Sequence, residues 1–594
     1  MKTRCLITGC LLAMAGLALA CEAPAAPAPT PHHLARLPEP NLVRNGSFGD
    51  GLAGWQMVVD EGAAAVLAQD QTGFVTVTVP AGSAPQNAGW SVNVPVEAGA
   101  SYVASWRVHT EGLSGYASLR LRCYDAENQL LAEMAGPPAL YDTPWTSKAF
   151  RLQAPVGAVR AEVLPGVEGA TGGRAAFDDI TLSLDSAPPI RALIVDLRQE
   201  VGLLRPLNQV DGAVGVDAAA ALGASAIAIP AGGDADWRAI FPNAWANPDD
   251  PASYDWQAAD VAVAGAVAAG QDVLFRLGGV GEGQQHLAPP GPDRFAAVVR
   301  HIVLHYNQGW AGGHHYGISR WELWPAPDGP GGPVAARAYA ELVAAAAAQL
   351  RALDPELEVG APGLETPAHQ EYLRAVLEGL VQRDTRLGFL SWHDGYHGAP
   401  ASSAVATRYV LQAAQEGGQA GVPLLVSRWG PPRGDVTGDA GDAAWLVSAV
   451  AYAQDSHLMQ AYWAWPRASL VDADGAPTLA GRAFAWLGRL QQCPRRLVTH
   501  GADELGFSLL AGLSGDGRRA CILVADTGSA TEEYRLGLGG FPEGYTYRVS
   551  EISAEHKGEV IAEGRESQLP EGVLILPWHA PAVHLVEIRW DDTP

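Results

Sequence analysis

Cysteine and basic residues are both scarce in this chain of 594 residues. Lysine and arginine number 39 against 64 acidic residues, so the net charge is −25. Because this charge repels phosphate backbones, we expect no nucleic-acid partner. Six cysteines are present, and Cys123, Cys493 and Cys521 are the three that follow residue 21. They provide neither a disulfide framework nor the C-x-x-C spacing of a metal site. Cys493 and Cys521 either pair or remain two buried free thiols.

Long apolar runs are also rare, and the first one predicts targeting rather than folding. The run from Leu6 to Leu19 follows two basic residues and is too short for a lasting membrane span. This pattern predicts that residues 1–20 are a signal peptide. The segment also resembles a bacterial lipoprotein signal, in which Cys21 would carry the lipid. We expect an exported protein, at the cell surface or in the periplasm if Cys21 is acylated and secreted otherwise. Membrane contact is expected only through that lipid. Residues 21–40 are rich in alanine and proline and predict a semi-rigid linker.

Residues 41–186 show short runs of period-two alternation separated by glycine, proline and asparagine, which predicts an antiparallel β-sandwich. The stretches NLVRNGSFGDGLAGW (41–55) and AAFDDITLSL (175–184) resemble the terminal strands of a jelly-roll carbohydrate-binding module. That resemblance implies a structural calcium ion, with oxygen ligands from Asn45, Asp50 and Asp178 or Asp179. The alternative is that these are ordinary turn residues.

Aromatic residues of this first region are candidates for stacking on sugar rings. The candidates are Trp90, Tyr116 and Trp145, with Trp106 and Tyr124 as further ones. Packing inside the sandwich is the alternative for each of them.

Residues 187–492 alternate β-like and α-like segments, which predicts a (β/α)8 TIM barrel. The predicted strands are 191–197, 225–230, 272–278, 320–324, 357–362, 388–393, 423–429 and 459–465. Strands without helices return in residues 493–594 and predict a C-terminal β-sandwich. The fold class is thus a multidomain chain in which a TIM barrel is flanked by two β-sandwiches.

Several separated stretches of the barrel resemble glycoside hydrolase family 39 and its relatives in clan A. They are RHIVLHYNQGWAGGHHYGISRWELWPAPDG (300–329), LSWHDGYHG (390–398), VPLLVSRWG (422–430) and AYWAWPRASLVDADGAPTLAGRAFAWL (461–487). The resemblance implies an acid/base glutamate after the fourth strand and a nucleophilic glutamate at the end of the seventh. Ala326 and Arg428 occupy these two positions here. Alanine has no proton to give and a guanidinium cannot attack the anomeric carbon, so we expect double displacement to be lost.

Other carboxylates near the barrel rim could replace the missing pair in an inverting hydrolase, which tolerates a wider separation. The candidates are Glu282, Glu322, Asp328 and Asp394. An active O-glycosyl hydrolase with relocated acids therefore remains one alternative, and a cell-surface scaffold is another.

The main expectation is a non-catalytic, glycan-binding pseudo-hydrolase whose partner is a polysaccharide or oligosaccharide. Its barrel needs no cofactor, so the calcium ion of the first region is the one metal expected. Carboxyl ends of barrel strands are where ligands bind. The candidate binding residues there are Trp324, Trp392, His393, Tyr396, His397, Arg428, Trp429, Trp463 and Trp465. Barrel packing is the alternative for each tryptophan, and the planar fork of Arg428 suits a uronate or a sulfate.

Overall fold

A computed structural model of the chain describes residues 41–229, 237–278, 291–329, 334–395, 398–430, 438–464 and 467–591. The predicted signal peptide (1–20) and linker (21–40), with Cys21, lie outside the described residues. Within those ranges, every helix is too short or too polar to span a bilayer.

The first region consists of eight strands, all paired antiparallel as predicted. They are β1 (Gln56–Val59), β2 (Val66–Gln69), β3 (Val75–Val79), β4 (Gln86–Pro95), β5 (Ser101–Tyr124), β6 (Leu130–Ala135), β7 (Ala139–Gln153) and β8 (Arg160–Leu184). The order is β1-β4-β8-β3-β2, and β5 pairs with β6, β7 and β8. The two long strands, β5 and β8, pair with each other through several register shifts, which let them bend around a separate hydrophobic core. The jelly-roll assignment stays a prediction.

Eight parallel strands close into a barrel, which confirms the predicted TIM-barrel architecture. The strands are β10 (Gln209–Asp211), β11 (Ala226–Ile229), β12 (Asp272–Leu277), β13 (Arg320–Leu323), β14 (Glu358–Leu364), β15 (Phe389–Asp394), β16 (Leu424–Trp429) and β17 (Leu458–Trp463). The helices are α1 (Val216–Ala221), α2 (Trp237–Ile240), α3 (Gln257–Ala268), α4 (Pro292–Gln308), α5 (Ala336–Leu353), α6 (Gln370–Val381), α7 (Ser402–Glu416), α8 (Ala440–Ala453), α9 (Arg467–Leu470) and α10 (Leu479–Leu490). The alanine- and leucine-rich α5 shows why they form: strong helix formers combine with one buried face.

The predicted first barrel strand, 191–197, is wrong. That segment belongs to β9 (Ile190–Leu203), which pairs with strands of the C-terminal sheet. Its side chains alternate between exposed and buried from residue 190 to 195, as in a sheet with one face in water. The true first barrel strand, β10, has only three residues and includes a glutamine and an aspartate, so its sequence gives no apolar signal.

The C-terminal sheet has nine strands, β9 and eight later ones, around a third hydrophobic core. The later strands are β18 (Arg495–His500), β19 (Phe507–Leu513), β20 (Arg519–Asp526), β21 (Glu533–Gly539), β22 (Thr546–Ile552), β23 (Lys557–Arg565), β24 (Val573–Pro577) and β25 (Ala582–Arg589). Cys493 Sγ lies 2.8 Å from Cys521 Sγ, and both residues are buried.

A buried ionic cluster joins the first region to the C-terminal sheet. The guanidinium of Arg151 lies 2.8 Å from Asp185 and 3.0 Å from Asp503, which Arg191 also contacts at 3.0 Å. Burial alone would raise the pKa of Asp503, but the two guanidinium groups outweigh it and leave that pKa lowered. The cluster therefore fixes the position of the first region on the rest of the molecule.

Candidate functional site

The positions expected to carry catalytic glutamates lie at the carboxyl ends of β13 and β16. Ala326 is buried in the turn after β13, where its N–H donates to the Gly363 carbonyl at 2.7 Å. Trp324 and Ala326 both have left-handed backbone, with φ of 47° and 56°, which costs energy in non-glycine residues. Arg428 is half-buried in β16, next to His393 of β15 in the strand register.

A carboxylate that the sequence alone did not indicate, Glu365, lies in the loop after β14 near His393 and Arg428. Its Oε2 lies 3.2 Å from His393 Nδ1, and its side chain is 40% exposed. Burial would raise the pKa of Glu365, but hydrogen bonding and charge from His393, with the further charge of Arg428, leave it lowered. Glu365 is therefore an ionised carboxylate at neutral pH and a poor proton donor.

Asp328 anchors the same loop instead of facing a substrate. Its Oδ1 accepts the N–H of Glu365 at 2.8 Å, and its Oδ2 lies 2.6 Å from His369 Nδ1. Its side chain is almost fully buried. The carboxylate thus holds the β13 and β14 loops together, which corrects its assignment as a replacement acid.

The other replacement acids are no better placed. Glu322 is fully buried, and neither carboxylate oxygen has a hydrogen-bond partner among the described residues. The positively charged guanidinium of Arg276 lies near the Glu322 carboxylate but forms an ion pair with Asp211. Asp394 is also buried. Glu282 lies outside the described residues.

The tryptophans expected to stack on a sugar are covered instead. Four of them are buried in the hydrophobic core of the barrel, which includes the layer between strands and helices. These four are Trp324, Trp392, Trp429 and Trp463. Trp429 Nε1 donates to Ser403 of α7, and Trp463 Nε1 donates to Ser469 of α9. Because alternate strand residues point away from the barrel axis, these rings pack on helices, and the stacking assignment is wrong for them. The remaining candidates, Tyr396, His397 and Trp465, lie outside the described residues.

The aromatic side chains of the first region that were expected to stack on sugar rings include both buried and half-buried ones. Trp90 is buried in that region's core, so its stacking assignment is also wrong, and Trp106 is buried with it. Trp145 is half-buried, with the Arg107 guanidinium 5.1 Å from its ring centroid. Tyr116 is half-buried and its hydroxyl hydrogen-bonds Thr366, the residue after Glu365. This contact brings the first region to the edge of the barrel mouth.

Three of the residues expected to bind calcium, Asn45, Asp178 and Asp179, already have side-chain partners within the protein. Asn45 Nδ2 donates to the Gly51 carbonyl at 2.9 Å, and Asn45 Oδ1 accepts the N–H of Asp50 at 3.0 Å. Asp179 lies 3.4 Å from Arg107, while burial raises the pKa of Asp178. Calcium binding at this turn stays a prediction.

Glu365 and His369 could have been found in the sequence. Both follow the predicted strand 357–362 within a few residues, and the carboxyl ends of barrel strands are where functional side chains gather. The family resemblance concerns the carboxyl ends of the fourth and seventh strands and gives no role to the end of the fifth.

Comparison with known proteins gives the fold but no family assignment. The chain matches no protein-family model and no curated protein. A glucosidase from Croceicoccus marinus has a similar structure, with 23% identity, a TM-score of 0.59, and coverage of 68% of this chain and 99% of that one. A monomeric beta-xylosidase from Caulobacter crescentus CB15 has 17% identity and a TM-score of 0.53 over 67% of this chain and 99% of that one. A GH39 enzyme from Xanthomonas axonopodis pv. citri has 16% identity and a TM-score of 0.54 over 68% and 98%. The chain therefore has a glycoside hydrolase family 39-like fold, a TIM barrel with a sheet-rich C-terminal domain.

Proposed function

We propose that the protein is a glycan-binding pseudo-hydrolase that holds carbohydrate in its barrel mouth without cleaving it. The observation that carries this proposal is the chemistry at the two expected catalytic positions. Ala326 offers no acid, and Arg428 offers a positive charge beside the ionised Glu365. Structural neighbours described as a glucosidase and a beta-xylosidase support carbohydrate as the class of ligand.

Catalysis by double displacement needs one protonated and one ionised carboxyl group about 5 Å apart. Glu365 could supply only the ionised one, and it already hydrogen-bonds His393. The guanidinium of Arg428 would also oppose the positive charge that develops at the anomeric carbon. The mouth is thus suited to holding a sugar and unsuited to cleaving one.

An acidic sugar is the ligand that fits best. The half-buried Arg428 presents a charged, planar donor fork, which matches a uronate carboxylate or a sulfate. His393 Nε2 is buried and has no hydrogen-bond partner among the described residues, so a ligand hydroxyl would satisfy it. Tyr116 places the first region beside this mouth, and a second weak sugar contact on that region would raise the overall avidity.

The test compares the full chain with Arg428→Ala on a glycan array and by calorimetry. A charge-assisted hydrogen bond contributes about 1.5–3 kcal/mol, so the variant should bind acidic glycans roughly 10- to 100-fold more weakly and neutral ones unchanged. Arg337→Ala, on the exposed face of α5, is the matched control. Equal loss for both classes of glycan would contradict the role of Arg428, and no retention of any glycan would favour the scaffold alternative.

Turnover separates binding from catalysis. Aryl glycosides and polysaccharides incubated with the wild-type chain should release no reducing ends. Release that disappears in Glu365→Gln would establish an active hydrolase with a relocated carboxylate instead.

We propose further that the protein is exported and anchored through Cys21. The apolar run and the small-x-small site before Cys21 support export. Mass spectrometry of the mature amino terminus tests this, because an acylated Cys21 and a free one differ by the mass of the lipid.

A further inference from the structure

A second cluster of chemically reactive side chains lies away from the barrel mouth. Asp260 of α3, His305 of α4 and His314 of the loop between α4 and β13 converge there. Asp260 Oδ1 is 3.0 Å from His305 Nε2 and 3.5 Å from His314 Nε2, and the three ligand atoms lie within 4.8 Å of one another. Ligands bound about 2.0–2.1 Å from a tetrahedral zinc ion lie roughly 3.3 Å apart, close to both distances. Two imidazoles and one carboxylate are also a common donor set for transition metals.

The tautomer of His305 gives an independent argument. His305 Nδ1 lies 2.9 Å from the carbonyl oxygen of Trp310, which can only accept a hydrogen bond, so Nδ1 carries the proton. His305 Nε2 lies 3.0 Å from Asp260 Oδ1 and is the ring nitrogen left to bind an ion. A histidine whose second nitrogen donates to a backbone carbonyl is the usual form of a metal-bound imidazole.

The surroundings of the cluster support the same conclusion. Trp256 stacks on the His305 ring with 3.7 Å between centroids and 4° between planes, which fixes the imidazole orientation. Gly313 lets the loop approach, because a Cβ there would lie 2.6 Å from His305 Nδ1. The Tyr306 side chain is also buried beside His305, with 4.9 Å between the two ring centroids.

We propose that Asp260, His305 and His314 bind one divalent transition-metal ion, with zinc as the best match. In the part of the chain that the structure describes, no other group of three histidine, cysteine or acidic side chains meets the same distance criterion. The loop that carries His314 leads into the amino-terminal end of β13, whereas the candidate glycan site follows the carboxyl ends of the strands. The ion would therefore fix this loop to α3 and α4, and the inference does not depend on the proposed glycan binding.

The test measures zinc binding to the full chain, prepared without a histidine tag, by calorimetry and by metal analysis after dialysis. One zinc ion per chain is expected, with a higher Tm in its presence and no comparable effect of Mg²⁺. Cobalt substitution should give the visible absorption of a tetrahedral site. Asp260→Asn and His314→Ala should each weaken zinc binding by about tenfold or more. His315→Ala, which removes the exposed histidine next in the same loop, should leave it unchanged.

Two results would overturn the proposal. One is the absence of stoichiometric zinc binding to the wild-type chain, which would leave the cluster as a set of histidine–carboxylate hydrogen bonds. The other is zinc binding of equal strength in Asp260→Asn and His314→Ala, both confirmed as folded by circular dichroism.

Discussion

The substitution Arg151→Met should lower the free energy of unfolding, because it removes the guanidinium shared by Asp185 of the first region and Asp503 between β18 and β19. The Arg151 side chain is 2% exposed and that of Asp185 is 4% exposed, so their 2.8 Å contact is a fully buried ion pair. Breaking such a pair from one side typically costs about 3–5 kcal/mol, because the remaining charge stays buried. Asp185 would keep the Ala187 N–H at 3.1 Å and the Ala530 N–H at 3.3 Å, which favours the lower end of that range.

Arg107→Met provides a matched control in the same region. Its partner, Asp179, is 3.4 Å away, and the two side chains are 42% and 52% exposed, so the loss should be about 0–1 kcal/mol. Urea unfolding followed by tryptophan fluorescence is the assay, since Trp90 and Trp106 report on the core of this region. The reasoning is refuted if the two variants lose the same free energy of unfolding.

Three further predictions concern single buried groups. Trp392→Ala should lower the free energy of unfolding, measured by urea denaturation, by about 3–5 kcal/mol, because it leaves a cavity. A loss of glycan affinity at unchanged stability would contradict the packing role of Trp392. Burial raises the pKa of the Cys123 thiol to about 11. Iodoacetamide at pH 8 should therefore alkylate Cys123 only after unfolding, and mass spectrometry would detect the added mass. Burial lowers the pKa of His584 despite its contact with Glu551. As the pH falls, this histidine is therefore protonated in the unfolded chain before it is protonated in the folded one. Stability should therefore fall as the pH decreases below about 6.5, and His584→Gln should reduce this dependence in pH-dependent melting curves.

Most of the barrel could be predicted because its strands are apolar runs set between amphipathic helices. Seven of the eight predicted strands overlap the observed ones, from β11 to β17. The first strand could not be found, because β10 is short and polar and owes its place to pairing with β11 and β17. The more apolar segment 191–197 resembles a barrel strand in composition, although its alternating pattern is typical of a sheet with one face exposed.

The candidate site was predicted less well, since a sequence does not show which side of a strand faces the barrel axis. His393 and Arg428 do meet at the mouth, whereas the neighbouring Trp392 and Trp429 face the helices. Moving one position along a strand reverses the direction in which the side chain points. A tryptophan side chain can either stack on a sugar ring or pack in a hydrophobic core. Glu365 was overlooked because its importance depends on His393 and Arg428, which approach it only in the folded chain.

Under the proposed non-catalytic function, the charges around Glu365 reinforce the effect of the two replaced positions. A general acid needs a raised pKa, which an enzyme obtains by burying a carboxyl group away from donors and positive charge. Glu365 has the opposite environment, with His393 and Arg428 lowering its pKa, and Asp328 is occupied by two hydrogen bonds. Placing a glutamate at position 326 alone would therefore supply an acid but leave Arg428 opposing the transition state. Activity would require Arg428→Glu as well, because only that change removes the opposing charge and restores an attacking oxygen.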